Sequence, residues 1–262
     1  MLVARAHILF FTALLLLAAV SGRAQSSTLG KSRPLSSAVW LTLTSDARLT
    51  DRWGSHLEAQ WRQAKGAGSP HQNVLRLGIT YHATGELQLS TGYALLLTTD
   101  NNDAPAAAQR PEHRAYQQVL LNDLQDRLQL QHRYRLEQRW IQQTEGAAPV
   151  YVNRIRYRLQ LAYPLSGPVL KTGGAYVAAS NELFLGFGRN VEHGIFDQNR
   201  AYAGLGYQAM KSLALEIGYQ NQLASTNVGS FGSPHSVQVG LKFNPDFRPV
   251  ALLAAVKEAG AK

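Results

Sequence analysis

The chain has 262 residues, no cysteine, and 26 Lys and Arg against 17 Asp and Glu, for a formal charge of +9. The absence of cysteine excludes a disulfide-stapled scaffold, so an exported chain of this kind rests on its core, its backbone ladder or its membrane. Such a basic balance points to nucleic acid in a cytosolic protein, and export removes that partner.

The amino terminus, MLVARAHILFFTALLLLAAVSGRAQ, is what directs attention to export. Arg5 supplies a positive start, Ile8 to Val20 an apolar run, and Gly22-Arg23-Ala24 a small-x-small cleavage pattern. That run of about 13 residues is shorter than the ~20 that span a bilayer as a helix. Residues 1–24 are therefore expected to be a signal peptide, whose removal leaves about 238 residues, enough for one large all-β domain. Residues 25–36 form an N-terminal segment or an extra strand, residues 37–245 the β domain, and residues 246–262 a tail.

From Val39 onward the chain alternates. In GSHLEAQWRQ, His56, Glu58, Gln60 and Arg62 oppose Leu57, Ala59 and Trp61. In ELQLSTGYALLL, Leu87, Leu89, Tyr93, Leu95 and Leu97 oppose Glu86, Gln88, Ser90 and Gly92. The run RLQLQHRYRLEQRW (127–140) decides between helix and strand. Wound as a helix, its Leu128, Leu130, Tyr134, Leu136 and Trp140 scatter over roughly 240° of the circumference. As a strand they share one face, opposite Arg127, Gln129, Gln131, Arg133, Arg135, Glu137 and Arg139. The same holds for YVNRIRYRLQLAY (151–163), where Arg154, Arg156, Arg158 and Gln160 sit opposite Ile155, Tyr157, Leu159 and Leu161. SLALEIGYQNQL and SVQVGLKFN complete the series, with Glu216 and Lys242 on the polar side. About eleven such runs are present, most near the ~9–11 residues of a tilted membrane strand.

Short turns near Thr50–Arg52, Thr84-Gly85, Asp123–Asp126, Leu165–Gly167 and Lys211-Ser212 alternate with long polar connections such as KGAGSPH, TTDNNDAPAAAQR and ASTNVGSFGSPH. This asymmetry is the habit of outer-membrane barrels. A soluble barrel or sandwich also alternates, with its apolar face inward. Three features favour a membrane wall outside and a hydrated lumen inside. Nearly every polar face carries Glu or Arg, Arg is preferred to Lys as suits confined carboxylate pairing, and aromatics such as Trp53 and Trp61 lie near strand ends, as two interfacial girdles require. The expectation is a closed antiparallel transmembrane β-barrel of about 12 strands (range 10–12). An even count follows from placing both termini on one side of the membrane, with residues 25–36 as the twelfth strand.

Assigning faces in this way gathers Asp46, Glu58, Glu86, Glu112, Glu137, Glu182 and Glu216 inside. With them go Arg48, Arg62, Arg76, Arg114, Arg133, Arg135, Arg139, Arg154, Arg156, Arg158 and Arg200. Confined carboxylates need cationic partners, and cross-strand complementarity proposes registers. These set Glu112 opposite Arg139, Arg114 opposite Glu137, Glu137 opposite Arg156, and Glu182 opposite Arg200.

The runs PEHRAYQQ (111–118), RYRLEQRW (133–140), NRIRYRLQ (153–160), NELFLGFG (181–188) and FDQNRAYAGLGY (196–207) resemble an uncharacterised family of bacterial outer-membrane β-barrels, domain of unknown function 2490. The similarity extends from about Trp40 to Asn244. It implies a single barrel with a Glu/Arg lumen in the cell outer membrane of a Gram-negative envelope. It implies no activity.

Three functions remain open at this level. The lumen charges are either a stabilising plug or a narrow, porin-like path that favours anions, because arginines outnumber acids. A lipid-modifying hydrolase in the barrel wall would need Ser, His and an acid within reach; His113 and His132 fall on the lipid side, but positions 115 and 134 are Ala and Tyr, and no catalytic residue is assigned. An envelope assembly or surface-binding role would use the long loops. Asp100 and Asp103 lack the glycine and terminal glutamate of a calcium loop. No cofactor or metal is expected; the expected partners are membrane lipid, lipopolysaccharide and the outer-membrane insertion machinery.

Overall fold

The computed structural model describes residues 38–64, 71–99, 109–143, 147–191, 194–225, 231–232 and 234–248. The expected signal peptide, the 25–36 segment and the tail beyond Arg248 lie outside the described residues. Twelve strands follow in order: β1 (Ala38–Arg48), β2 (Trp53–Ala64), β3 (His71–His82), β4 (Leu87–Thr99), β5 (Gln109–Gln125), β6 (Leu128–Ile141), β7 (Val150–Pro164), β8 (Ala175–Phe187), β9 (Phe196–Met210), β10 (Leu213–Ser225), β11 (Phe231–Gly232) and β12 (His235–Phe243). The two-residue β11 pairs only with the end of β10. The other eleven form one closed ring, each hydrogen-bonded to two neighbours.

Ten of the pairings are antiparallel, and the closing one is not. β1 pairs with β12 in parallel, from Ala38 opposite Ser236 to Thr44 opposite Lys242. The barrel is therefore mixed rather than wholly antiparallel. An odd number of strands closes because the first and last run the same way, and a parallel ladder satisfies backbone N–H and C=O groups as an antiparallel one does. A twelfth full-length strand is not required for closure. The chain continues past Phe243 along β1, where Arg48 N–H donates to the Pro245 carbonyl and Phe247 N–H to that of Arg48.

The connections sort onto two rims as expected, with one exception. Residues 49–52, 83–86, 126–127 and 211–212 are tight, whereas the β7–β8 connection on the same rim runs from Leu165 to Gly174. Pro168 cannot donate to a ladder, and Gly167 and Gly173 adopt φ of 76° and 82°, so the strand pair opens earlier than the short Leu165–Gly167 turn would allow.

Side chains alternate strictly along β3: Leu75, Leu77 and Ile79 are exposed, Val74, Arg76 and Thr80 buried. Large apolar residues cover the outer wall on every long strand, and glutamates and arginines are buried within. Trp53 packs edge-on against Tyr81 at the short-turn rim, with ring centroids 5.1 Å apart. Trp140 and Tyr151 meet at the opposite rim at 5.3 Å. No helix among the described residues is long and apolar enough to cross a membrane.

Inside the short-turn half, tyrosines fill hollows left by glycines. A Cβ on Gly78 or Gly92 would collide with the Tyr116 hydroxyl, one on Gly206 with the Tyr176 ring, and one on Gly204 or Gly218 with Tyr202. Glycine is needed there because another ring occupies the space, not for an unusual φ.

Candidate functional site: the charged lumen

The interior holds a cavity of about 610 Å³, lined by residues towards both rims. Eleven of its lining side chains are Arg or Lys and six are Asp or Glu; Glu137 lies behind them, fully buried. The strand pattern puts these groups inside for a simple reason. With a period of two, a strand whose greasy residues face out must turn its intervening residues in.

Four glutamates organise the arginines. Glu58 pairs with Arg76, its direct cross-strand neighbour. Glu112 accepts two forked bonds: from Arg114 at 2.6 and 2.9 Å, and from Arg139 at 2.5 and 3.2 Å. Glu137 takes Arg154 on Oε2 at 2.6 Å and Arg156 on Oε1 at 2.6 Å. Glu182 takes Arg156 at 2.7 Å and Arg133 at 2.6 Å. Because Arg154 also reaches Asp197 at 2.9 Å, an unbroken chain runs Asp197–Arg154–Glu137–Arg156–Glu182–Arg133. Buried ion pairs of this kind are often no more stabilising than apolar side chains of equal volume, but removing one member is costly. Arg135, almost wholly buried, bonds to Gln118 at 2.6 Å, and its guanidinium carbon lies 4.9 Å from the Tyr116 ring centroid.

Three arginines stand apart. Arg62, Arg158 and Arg200 have no carboxylate within ion-pairing distance among the described residues, and bond to glutamines instead. Arg62 donates to Gln72 at 2.8 Å and to Gln60, Arg158 to Gln131 at 2.9 Å, and Arg200 to Gln198 at 3.5 Å. Aromatic rings inside the barrel take part. Arg62 and Arg200 lie 4.1 and 5.1 Å from the Trp40 centroid, and Arg154, Arg156 and Arg200 surround Phe184.

The registers differ from those proposed by complementarity. Glu182 is opposite Arg200 as expected, but the two are not ion-paired. Glu112 is opposite Ile141, Arg114 opposite Arg139, and Glu137 opposite Arg154, a shift of two residues at each hairpin. The β5–β6 turn is at Asp126-Arg127, at the far end of the expected Asp123–Asp126 span, with Asp126 in a left-handed conformation at φ 53°. Glu112–Arg139 and Glu137–Arg156 nonetheless form, diagonally, because Arg is long enough to reach the neighbour two residues away.

Two residues placed inside by alternation are not there. Glu86 is exposed in the β3–β4 turn. Arg48 ends β1 at the rim, where it donates to the carbonyls of Thr50 and Asp51 and touches His82. At these positions the strand has ended and alternation no longer sets a face. Asp46 lines the cavity and bonds to His56 at 2.7 Å, while Glu216 pairs with Lys242 at 2.6 Å. Alternation missed Asp197, which lines the cavity beside its neighbour Gln198. A register shift between Phe184 and Leu185 on β8 interrupts the period opposite it, and a bulge re-aims a side chain in this way. The inward Phe184 and Tyr116 are legible from parity, each two positions from a charged residue, Glu182 and Arg114; Trp40 has Ala38 and Thr42 at those places, and the first charge on its face is Asp46.

A family model for a protein of unknown function (DUF2490) matches residues 37–231. The chain belongs to this family. An uncharacterized protein of Methylorubrum extorquens is 28% identical over 189 residues, which cover 70% of this chain and 77% of that protein. In this DUF2490 barrel the outward histidines pair with tyrosines: His113 with Tyr93, and His132 with Tyr157 at 2.9 Å. Among the described residues no group of three or more His, Cys, Asp or Glu is arranged to hold a metal.

Proposed function

We propose that this DUF2490 protein is an outer-membrane β-barrel whose lumen forms a narrow, anion-favouring path along an arginine–glutamate belt. The outer wall supports the membrane part. Leu77, Ile79, Leu205 and Ile217 are each more than half exposed in mid-strand, an arrangement that water penalises and lipid does not. Aromatic pairs near both rims match the girdles of such barrels. Membrane lipid and lipopolysaccharide are then its surroundings, and the outer-membrane insertion machinery its route.

The observation that carries the path is the imbalance among the lining groups, eleven cations to six carboxylates around a cavity whose lining extends towards both rims. An aqueous passage with that excess attracts anions and repels cations. A specific observation favours a second reading, a sealed plug: Arg135, Glu137 and Tyr116 are almost completely buried, so the belt is dense where they meet. Planar-bilayer recording under a potassium chloride gradient separates the two. A reversal potential of the sign for chloride, reduced in Arg158→Gln, is the expected result; electrical silence under all gradients favours the plug.

A further inference from the structure

We infer that Arg62, Arg200 and Trp40 form a binding site for a small oxyanion of the phosphate or sulfate type in the long-loop half of the lumen. The inference rests on the lumen being reachable from that rim, and goes beyond anion preference to a defined site. Trp40 is three residues into β1 from that rim, Arg62 three from the end of β2, and Arg200 five into β9. Their guanidinium carbons are 4.1 and 5.1 Å from the same ring centroid, so they lie closer together than the sum of those distances.

Two confined guanidiniums this close repel one another, and cation–π contact with Trp40 offsets only part of the cost. Elsewhere in the lumen the problem is met by carboxylates: the forked bonds on Glu112, Glu137 and Glu182 occupy Arg114, Arg139, Arg154, Arg156 and Arg133. None reaches Arg62 or Arg200. Arg62 is held in place by Gln60 and Gln72, which keeps its cation aimed without a carboxylate at ion-pairing distance among the described residues. Arg200 has one long bond to Gln198, and its buried Nε has no acceptor.

A second, independent feature points to a ligand. Gln220, on β10 between Arg200 and the β12–β1 seam, is 6% exposed, lines the same cavity, and its Nε2 has no acceptor. An anion that accepts from Arg62, Arg200 and Gln220 supplies what each lacks. A multi-oxygen anion fits better than chloride, because planar guanidinium forks give paired, directional donors.

The fluorescence of Trp40 provides the test. The other tryptophans, Trp53, Trp61 and Trp140, are all exposed on the outer wall, so replacing them with Phe leaves a single lumen reporter. The full barrel is titrated with inorganic phosphate, and separately sulfate, in a neutral maltoside detergent that brings no lipid phosphate. A saturable change is expected, with half-saturation raised at least tenfold by Arg200→Gln and unchanged by Lys211→Gln, a turn residue. Arg62→Gln serves if Arg200→Gln does not give a folded, heat-modifiable band. A response absent, linear, matched by chloride at equal ionic strength, or unaffected by either arginine change overturns the site. Anion-selective conductance without saturable binding removes this inference and leaves the path; binding without conductance removes the path and leaves the site.

Discussion

Glu137 on β6 is ion-paired with Arg156 on β7 at 2.6 Å, yet the residue directly opposite it in the ladder is Arg154. Both arginines hold it, one straight across and one from the diagonal position. The belt is therefore knitted between strands as well as along each pairing, and Glu137 is its best-connected carboxylate.

Removing that carboxylate leaves Arg154 with Asp197 alone and Arg156 with Glu182 alone in a confined space. Glu137→Gln is expected to destabilise the barrel by about 3–5 kcal/mol, the usual cost of breaking a buried pair. Urea unfolding from detergent or liposomes measures it. A loss below about 1 kcal/mol would mean that water already screens the belt.

The tyrosine in the short-turn half gives a coupled prediction. A methyl on Gly78 meets the Tyr116 hydroxyl and the Thr91 carbonyl, and such overpacking costs about 1–3 kcal/mol. Combining Gly78→Ala with Tyr116→Phe removes the first clash and leaves the second. The double variant should be more stable than the two single effects summed, by about 0.5 kcal/mol or more.

Lipid contact along the outer wall can be tested by depth. Leu77, mid-strand on β3, and Leu89, third from the short-turn end of β4, are both exposed on the outer wall. In a bilayer, Leu77→Arg should cost about 2–4 kcal/mol and Leu89→Arg about 0–1 kcal/mol, measured by folding into liposomes. Equal and negligible effects would show that water, not lipid, bathes this wall.

The start of the tail has its own pH signature. Arg248 donates to Asp246 at 2.6 Å and to Asp51 at 3.2 Å, and its side-chain hydrogen bond holds the Asp246 carboxyl at about 2. Because that value is depressed, the contact contributes fully above the ordinary aspartate range of ~3.9 and is lost as pH falls through about 2. A fluorophore on Phe247→Cys, single because the chain has no native cysteine, should report a docked rim at pH 5 and release near pH 2. Asp246→Asn should release it at both.

Alternation alone showed that Leu130, Tyr134 and Leu136 share a face and that Arg133, Arg135 and Glu137 share the other, because a strand has a period of two whatever it packs against. It also located the short-turn hairpins to within a few residues, except β7–β8, whose connection runs on to Gly174. It failed where that period breaks: at Glu86 and Arg48, where strands end, and at Asp197, beside a register shift. Complementarity of charge did not fix registers, since a two-residue slip keeps every face and Arg side chains bridge the difference diagonally.

By itself the sequence determined an all-β chain with apolar and charged residues on opposite faces, because that information is local to each strand. Only the tertiary structure decided that eleven strands close through a parallel seam between β1 and β12, and that Arg62 and Arg200 meet at Trp40 without a carboxylate. Both depend on which distant strands become neighbours around the ring, and no period within a strand carries that.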